Sequence, residues 1–229
     1  MNKAIPKIYI ITTGDKQRMN RVEKALNNLD FEYVYSNNME ELKILEKKYR
    51  KRSHKFRQKA IMAGEIGAFN THSKAWKLIV DSNQAGVIIE DNIDFLIEPS
   101  ELFNQNVINL IYNCGLISFT DFRYKLYHDR PFIISSIKEK KPLPIICYGV
   151  SPERAENLLH SMKKTAYCLP IDKWLSIPKL CGINCFVNHI SYAKRQKTLS
   201  SIANQKKGKK SFNLINIFFW GINKIKYNY

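Results

Sequence analysis

The segment Ile88-Ile89-Glu90-Asp91-Asn92-Ile93-Asp94 sets four oxygen-bearing side chains at and beyond the end of an apolar run. That is the pattern expected where a buried parallel strand exits and its tip holds a cation and a charged ligand. Hard oxygen donors gathered at one point suit Mg²⁺ or Mn²⁺, and such an ion is typically shared with the phosphates of a substrate. In open α/β sheets, ligands bind outside the carboxyl ends of the strands. The segment therefore points to a nucleotide-type ligand. Asn92 stands where a third carboxylate is expected; its carbonyl can ligate a metal, but without charge. If extended geometry continues past Asn92, then Glu90, Asn92 and Asp94 share one face at period two. Asp94 then supplies the missing carboxylate, and the expected metal set is Asp91, Asn92 and Asp94.

Other residues carry weaker signals. Arg18 and Arg21 follow the first strand and could reach phosphates there, although an exposed helical arginine is an equal reading of either. Glu65 and His72 lie seven residues apart, two turns along one helix and close to one face. As single residues they read equally well as a helix-start acid and a satisfied core histidine. Cys181, Cys185 and His189 fall at helical spacing, but no fourth zinc ligand is evident. The five cysteines are an odd number among mostly apolar neighbours, which predicts reduced core thiols of a cytoplasmic protein.

The elements that must position these residues alternate. Lys7–Thr12 is a β-branched and aromatic run that reads as a first buried strand, broken at Gly14-Asp15. Met19, Val22, Leu26 and Leu29 then recur at helical spacing, and Phe31–Tyr35 reads as a second strand. Helices are expected over Met39–Arg50, over the stripe Ile66, Phe69, His72, Ala75, Trp76 and Ile79, and over Leu102–Ile111. Ala85–Glu90, Gly115–Phe119 and Ile145–Val150 read as strands. Ser151-Pro152 is a start signal for a further helix, with Ser at the cap and Pro in the first turn. Strand and helix in alternation predict an α/β fold with a mainly parallel sheet.

The 229 residues can bury one good core, so a single domain with an appendage is expected. No run of eighteen apolar residues suggests a spanning helix, and Met1–Thr13 turns polar too soon for a secretory signal. The net charge of +17 is confined to two stretches. Residues 173–229 hold eleven of the 37 Lys and Arg, residues 47–59 hold eight, and neither holds an acid. The other 18 basic residues face all 20 acidic ones, so the body is near neutral. Concentrated charge of this kind implies a docking surface for something anionic. Domain boundaries are expected at 1–193 for the body and 194–229 for a basic, aromatic tail. Within the tail, Leu214, Ile215, Phe218, Phe219, Ile222 and Ile225 share one helical face. Its Lys and aromatic residues suit peripheral attachment at an anionic leaflet.

Three separated blocks resemble glycosyltransferase family 25, which includes lipooligosaccharide galactosyltransferases. They are Met62-Ala63-Gly64-Glu65-Ile66-Gly67 through Trp76, then Val87–Asn92, then Tyr148-Gly149-Val150-Ser151-Pro152 followed by Pro170-Ile171-Asp172. The opening strand and its following arginine are similar as well. The resemblance implies a GT-A-like fold and transfer of a sugar from a nucleotide donor with inversion. It places Arg18, Arg21, Glu65, His72, Glu90 and Asp91 near the donor, with a divalent cation (Mn²⁺ or Mg²⁺) held weakly because Asn92 replaces the family's second Asp. It marks Asp172 as the general base, against the plainer role of a helix-capping Asp.

The expected function is therefore transfer of a hexose, with galactose the leading choice, from a nucleotide sugar to lipooligosaccharide or another lipid-linked glycan. The expected place is the cytoplasmic face of the bacterial inner membrane. The alternative is a degenerate member that binds glycolipid or a partner enzyme without catalysis. A nucleic-acid-binding role is disfavoured: no nucleic-acid motif accompanies the basic segments, and the acidic cluster would have no purpose.

Overall fold

The computed structural model describes residues 3–120, 132–133, 142–196 and 222–223. The first half runs β1 (Lys7–Thr12), α1 (Lys16–Leu26), β2 (Phe31–Tyr35), α2 (Met39–Arg57), α3 (Ala63–Ser82), β3 (Gly86–Glu90) and β4 (Ile93–Phe95). A 3₁₀ turn at Pro99–Phe103 leads to α4 (Gln105–Cys114), β5 (Leu116–Ser118) and β6 (Phe132–Ile133). Then follow β7 (Cys147–Val150), α5 (Pro152–Thr165), α6 (Ile171–Leu175), α7 (Pro178–Cys181), β8 (Phe186–Val187) and β9 (Ala193–Arg195).

Apolar residues at both parities of β1 and β3 require cover on both faces of the sheet. Tyr9, Ile11 and Ile88 pack on one side with Phe69, Trp76 and Ile79 of α3 and Ala155 and Leu158 of α5. Ile8, Ile10, Val87 and Ile89 pack on the other with Val22 and Leu26 of α1 and Val107 and Ile111 of α4. Two glycines permit the close helix approach. A Cβ on Gly86 would lie 2.5 Å from Ile79 Cδ1, and one on Gly149 would lie 2.4 Å from Ile111 Cγ1.

The seven-stranded sheet has the order β2-β1-β3-β7-β5-β8-β6. β2, β1 and β3 are mutually parallel, and β7 is antiparallel to both β3 and β5. β5 and β8 are parallel, with β6 antiparallel to β8. Five of the seven strands thus point one way, the mainly parallel α/β arrangement expected from the alternating sequence. A separate two-stranded sheet pairs β4 with β9.

Three boundaries differ from expectation. α2 runs on through most of the basic segment to Arg57, because its charges find partners: Arg52 donates to Ala166 O and lies over the Tyr49 ring, and Arg57 pairs with Glu65. Lys47, Lys48, Arg50, Lys51 and Lys55 remain exposed. The helix expected at Leu102–Ile111 is divided at Asn104, whose extended backbone and side chain cap α4 by accepting from Val107 N at 2.9 Å. The body also extends past residue 193, since β9 and Gln196 are bonded to the β3–β4 segment. The remainder of the expected tail lies outside the described residues except at Ile222 and Asn223, where Asn223 Nδ2 donates to Lys55 O. Among the described residues no helix is long and apolar enough to cross a membrane.

Candidate active site

Because β1, β2 and β3 are parallel, their carboxyl ends open on the same side. A cavity of about 520 Å³ forms there, lined by Thr12, Arg18, Gly67, His72, Asp91 and Arg195 among others. That volume is in the range for a small-molecule or cofactor site, and its place beyond the strand ends is where α/β sheets bind ligands.

The strand tip itself is held by backbone bonds. Asp91 N donates to Ile11 O, and Glu90 N donates to Ile146 O. Asp91 is buried; its Oδ2 accepts from Thr12 Oγ1 at 2.7 Å, and its Oδ1 lies 3.7 Å from Arg18 Nη1. Arg18 is steadied from behind by Asp15, the residue that caps α1. Burial raises the Asp91 pKa, an effect that the Thr12 hydroxyl and the Arg18 charge only partly offset. Glu90 behaves oppositely. Burial would raise it, but the facing His72 ring, the Arg195 guanidinium and the Asn92 amide together hold it below the usual carboxylate value. Its Oε2 is 3.2 Å from Arg195 Nη2, and its Oε1 is 3.8 Å from His72 Nε2.

His72 is fixed from the opposite side. Its Nδ1 lies 2.9 Å from the Tyr148 hydroxyl, which also accepts from Trp76 Nε1 at 2.9 Å. Indole N–H is only a donor. The hydroxyl satisfies every buried partner if it spends its single proton on His72 Nδ1. The ring proton then sits on Nε2, facing Glu90. The stripe of α3 thereby serves two purposes, with Phe69 and Ile79 as core and His72 as a wall of the cavity.

Asp172 stands in the first turn of α6, with Oδ1 accepting from Lys173 N at 2.8 Å. Burial raises its pKa; the Lys173 N–H and the Arg195 charge oppose that, while Glu90 and Glu65 add to it. Asp172 is thus in electrostatic range of both Glu90 and Arg195, although it is not part of the cavity wall. A carboxylate with a raised pKa is a better proton acceptor than an ordinary one.

Other residues singled out in the sequence fall elsewhere. Glu65 does not line the cavity. It forms a two-pronged ion pair with Arg57, at 3.1 and 2.6 Å, and accepts from Met62 N, closing the junction of α2 and α3. Arg21 is exposed on α1, also outside the cavity wall. Asp94 is not on a common face with Glu90, because the chain turns at Asp91-Asn92 and enters the other sheet. Its Oδ1 instead accepts from Gln196 Nε2 at 2.6 Å. The five cysteines are free thiols, and the single S–H of Cys181 lies within reach of both Ile183 O and Leu175 O.

The carboxylates of the strand tip are already engaged within the protein. Among the described residues, no group of three or more His, Cys, Asp or Glu is placed to hold a metal ion. Asp91 and Glu90 already face guanidinium groups, Asp94 is diverted, and Asn92 offers a neutral oxygen that is buried without a hydrogen-bond partner. Sequence reasoning missed Thr12 and Arg195. Both are set beside the acidic tip by strand pairing, for which a linear reading has no signal.

The family model described as Glycosyltransferase family 25 (LPS biosynthesis protein) matches residues 5–175, from just before β1 to the end of α6. No curated protein matches the chain.

Proposed function

The chain belongs to glycosyltransferase family 25, and from that premise we propose that the cavity beyond β1, β2 and β3 binds a nucleotide sugar whose hexose, galactose in the leading case, is passed with inversion to a lipid-linked saccharide. The observation that carries this reading is the geometry of the strand tip. Two carboxylates, two arginines and a histidine converge in the wall of a cavity of nucleotide-site volume, with Asp172 in electrostatic range.

In the reaction, an acceptor hydroxyl oxygen bonds to the anomeric carbon while the bond from that carbon to the diphosphate oxygen breaks. The hydroxyl proton passes to the Asp172 carboxylate, and the nucleoside diphosphate leaves with the bonding electron pair. Asp172 needs the raised proton affinity that burial gives it, because its conjugate acid must form during attack. His72 and Glu90 line the cavity, and the Tyr148 bond keeps the His72 ring in one orientation.

Lipooligosaccharide is the acceptor we favour, with catalysis at the cytoplasmic face of the inner membrane. The exposed lysines of α2 support this placement, since each basic group near an anionic leaflet contributes roughly 1 kcal/mol. The test is transfer of radiolabelled hexose from UDP-sugars to purified lipooligosaccharide. Asp172→Asn should lose transfer while still binding UDP. Equal transfer by the variant would remove Asp172 from the mechanism, and a wild-type chain that binds no UDP would favour a non-catalytic glycolipid-binding protein.

A further inference from the structure

We propose that the diphosphate of the donor is met by an arginine pair, Arg18 and Arg195, each oriented by its own strand-tip carboxylate, and that nucleotide binding here needs no divalent cation. The inference rests on the nucleotide-sugar reading above and specifies how that site handles charge.

Leaving-group charge in such a transfer must be neutralised, and either a bound cation or fixed guanidinium groups can do it. The strand tip is built for the second. Asp91 has one oxygen committed to Thr12 and the other facing Arg18, so its charge serves to place that arginine. Glu90 does the same for Arg195. A guanidinium has five N–H donors in a planar fork, so at Arg195 the edge turned to Glu90 leaves others for phosphate oxygens, while Arg18 brings its positive charge to the same cavity. Both arginines line the cavity, and the Arg195 side chain is 52% exposed with its contact to Glu90 intact.

Asn92 contributes in the same direction. An Asp there would add a negative charge beside Glu90, whereas the amide lowers the proton affinity of Glu90 and adds none. Asp94 has a structural role in the same device. It accepts from Gln196 Nε2, while Gln196 N donates to Asn92 O and Ile93 pairs with Arg195 in the β4–β9 register. These bonds fix the strand that carries Arg195 against the turn that carries Asp91 and Asn92. Arg195 lies beyond residues 5–175, the part matched by the family model. The second arginine is thus contributed by the segment that follows the matched region.

Isothermal titration of the full chain with UDP, in EDTA and again in excess Mn²⁺, tests the proposal. UDP should bind in EDTA with an affinity within a few-fold of that in Mn²⁺. Arg195→Ala should weaken binding in EDTA by roughly 10- to 100-fold, the loss of one charge-assisted contact. Arg195→Lys, which keeps the charge without the fork, should fall between. Binding that appears only with Mn²⁺, or that ignores both Arg195 variants, would overturn the arginine pair and leave the nucleotide site standing. No UDP binding in either buffer would overturn both readings. Circular dichroism of each variant confirms that the fold is retained, which the exposed position of Arg195 leads one to expect.

Discussion

Tyr148 and His72 are joined by a 2.9 Å hydrogen bond between β7 and α3, and the Tyr148 hydroxyl receives the Trp76 N–H at the same distance. All three side chains are fully buried. Tyr148→Phe keeps the ring and removes the oxygen, leaving the Trp76 donor and His72 Nδ1 without partners. Each unpaired buried group costs about 1–3 kcal/mol. Chemical denaturation should show a loss of roughly 2 kcal/mol or more with an unchanged m-value. Nitrogen-15 NMR of the imidazole should show the proton no longer confined to Nε2. A variant as stable as wild type, with the same tautomer, would mean that the hydroxyl does not set the ring.

Glu65 provides a contrasting case. Sequence similarity places it with the donor, but its carboxylate is spent on Arg57 and Met62 N. Both side chains of the ion pair are about seven-eighths buried. Removing one member of a mostly buried pair strands the other, a penalty of about 3–5 kcal/mol at full burial. Glu65→Ala should therefore lower the unfolding free energy by roughly 2–4 kcal/mol and leave UDP affinity unchanged in protein that remains folded. A large loss of UDP affinity at unchanged stability would return Glu65 to the donor site.

Much of the framework was readable because it depends on local pattern. The alternation of Ile8, Tyr9, Ile10 and Ile11 marks a strand covered on both faces, and Ser151-Pro152 marks the start of α5. Glu90 and Asp91 stood out because carboxylates at the end of an apolar run are costly unless something binds there. Long-range pairing was not readable. Arg195 sits in a stretch whose composition resembles a solvated tail, and only the β4–β9 register brings it within 3.2 Å of Glu90. Asp94 is placed away from the Glu90 face for a related reason, since period-two geometry ends at the Asp91-Asn92 turn.

Gly149 belongs to a block that sequence similarity picked out, and packing gives the reason. It faces α4, and an added methyl would meet Ile111 Cγ1 at 2.4 Å, Ile111 Cδ1 at 2.6 Å and Phe119 at 3.1 Å. Overpacking of a core typically costs about 1–3 kcal/mol. Gly149→Ala should lower thermal stability by that order, and Ile111→Val in the same chain should restore part of it, because the shortened side chain removes the Cδ1 contact. Additive losses in the double variant would show that Ile111 is not the atom group in conflict.

The pH dependence of transfer follows from the surroundings of Asp172. Burial raises its pKa above the ordinary 3.8, with the Lys173 N–H and Arg195 charge opposing. The base form must be present for catalysis, so activity is retained above the raised pKa and lost as pH falls through it. The acid limb of kcat/KM should therefore lie above 3.8. Stability has the opposite sign for this group, since the fold disfavours its charge: its destabilising contribution is present above the folded pKa and is relieved as pH falls. Asp172→Asn should then lose activity by about 10²–10⁴-fold without losing stability at neutral pH. Arg195 supplies the charge that lowers Asp172, so Arg195→Ala should move the acid limb of the residual activity upward. A limb that stays in place in Arg195→Ala would show that the titrating group is not Asp172, whatever the effect of the variant on UDP binding.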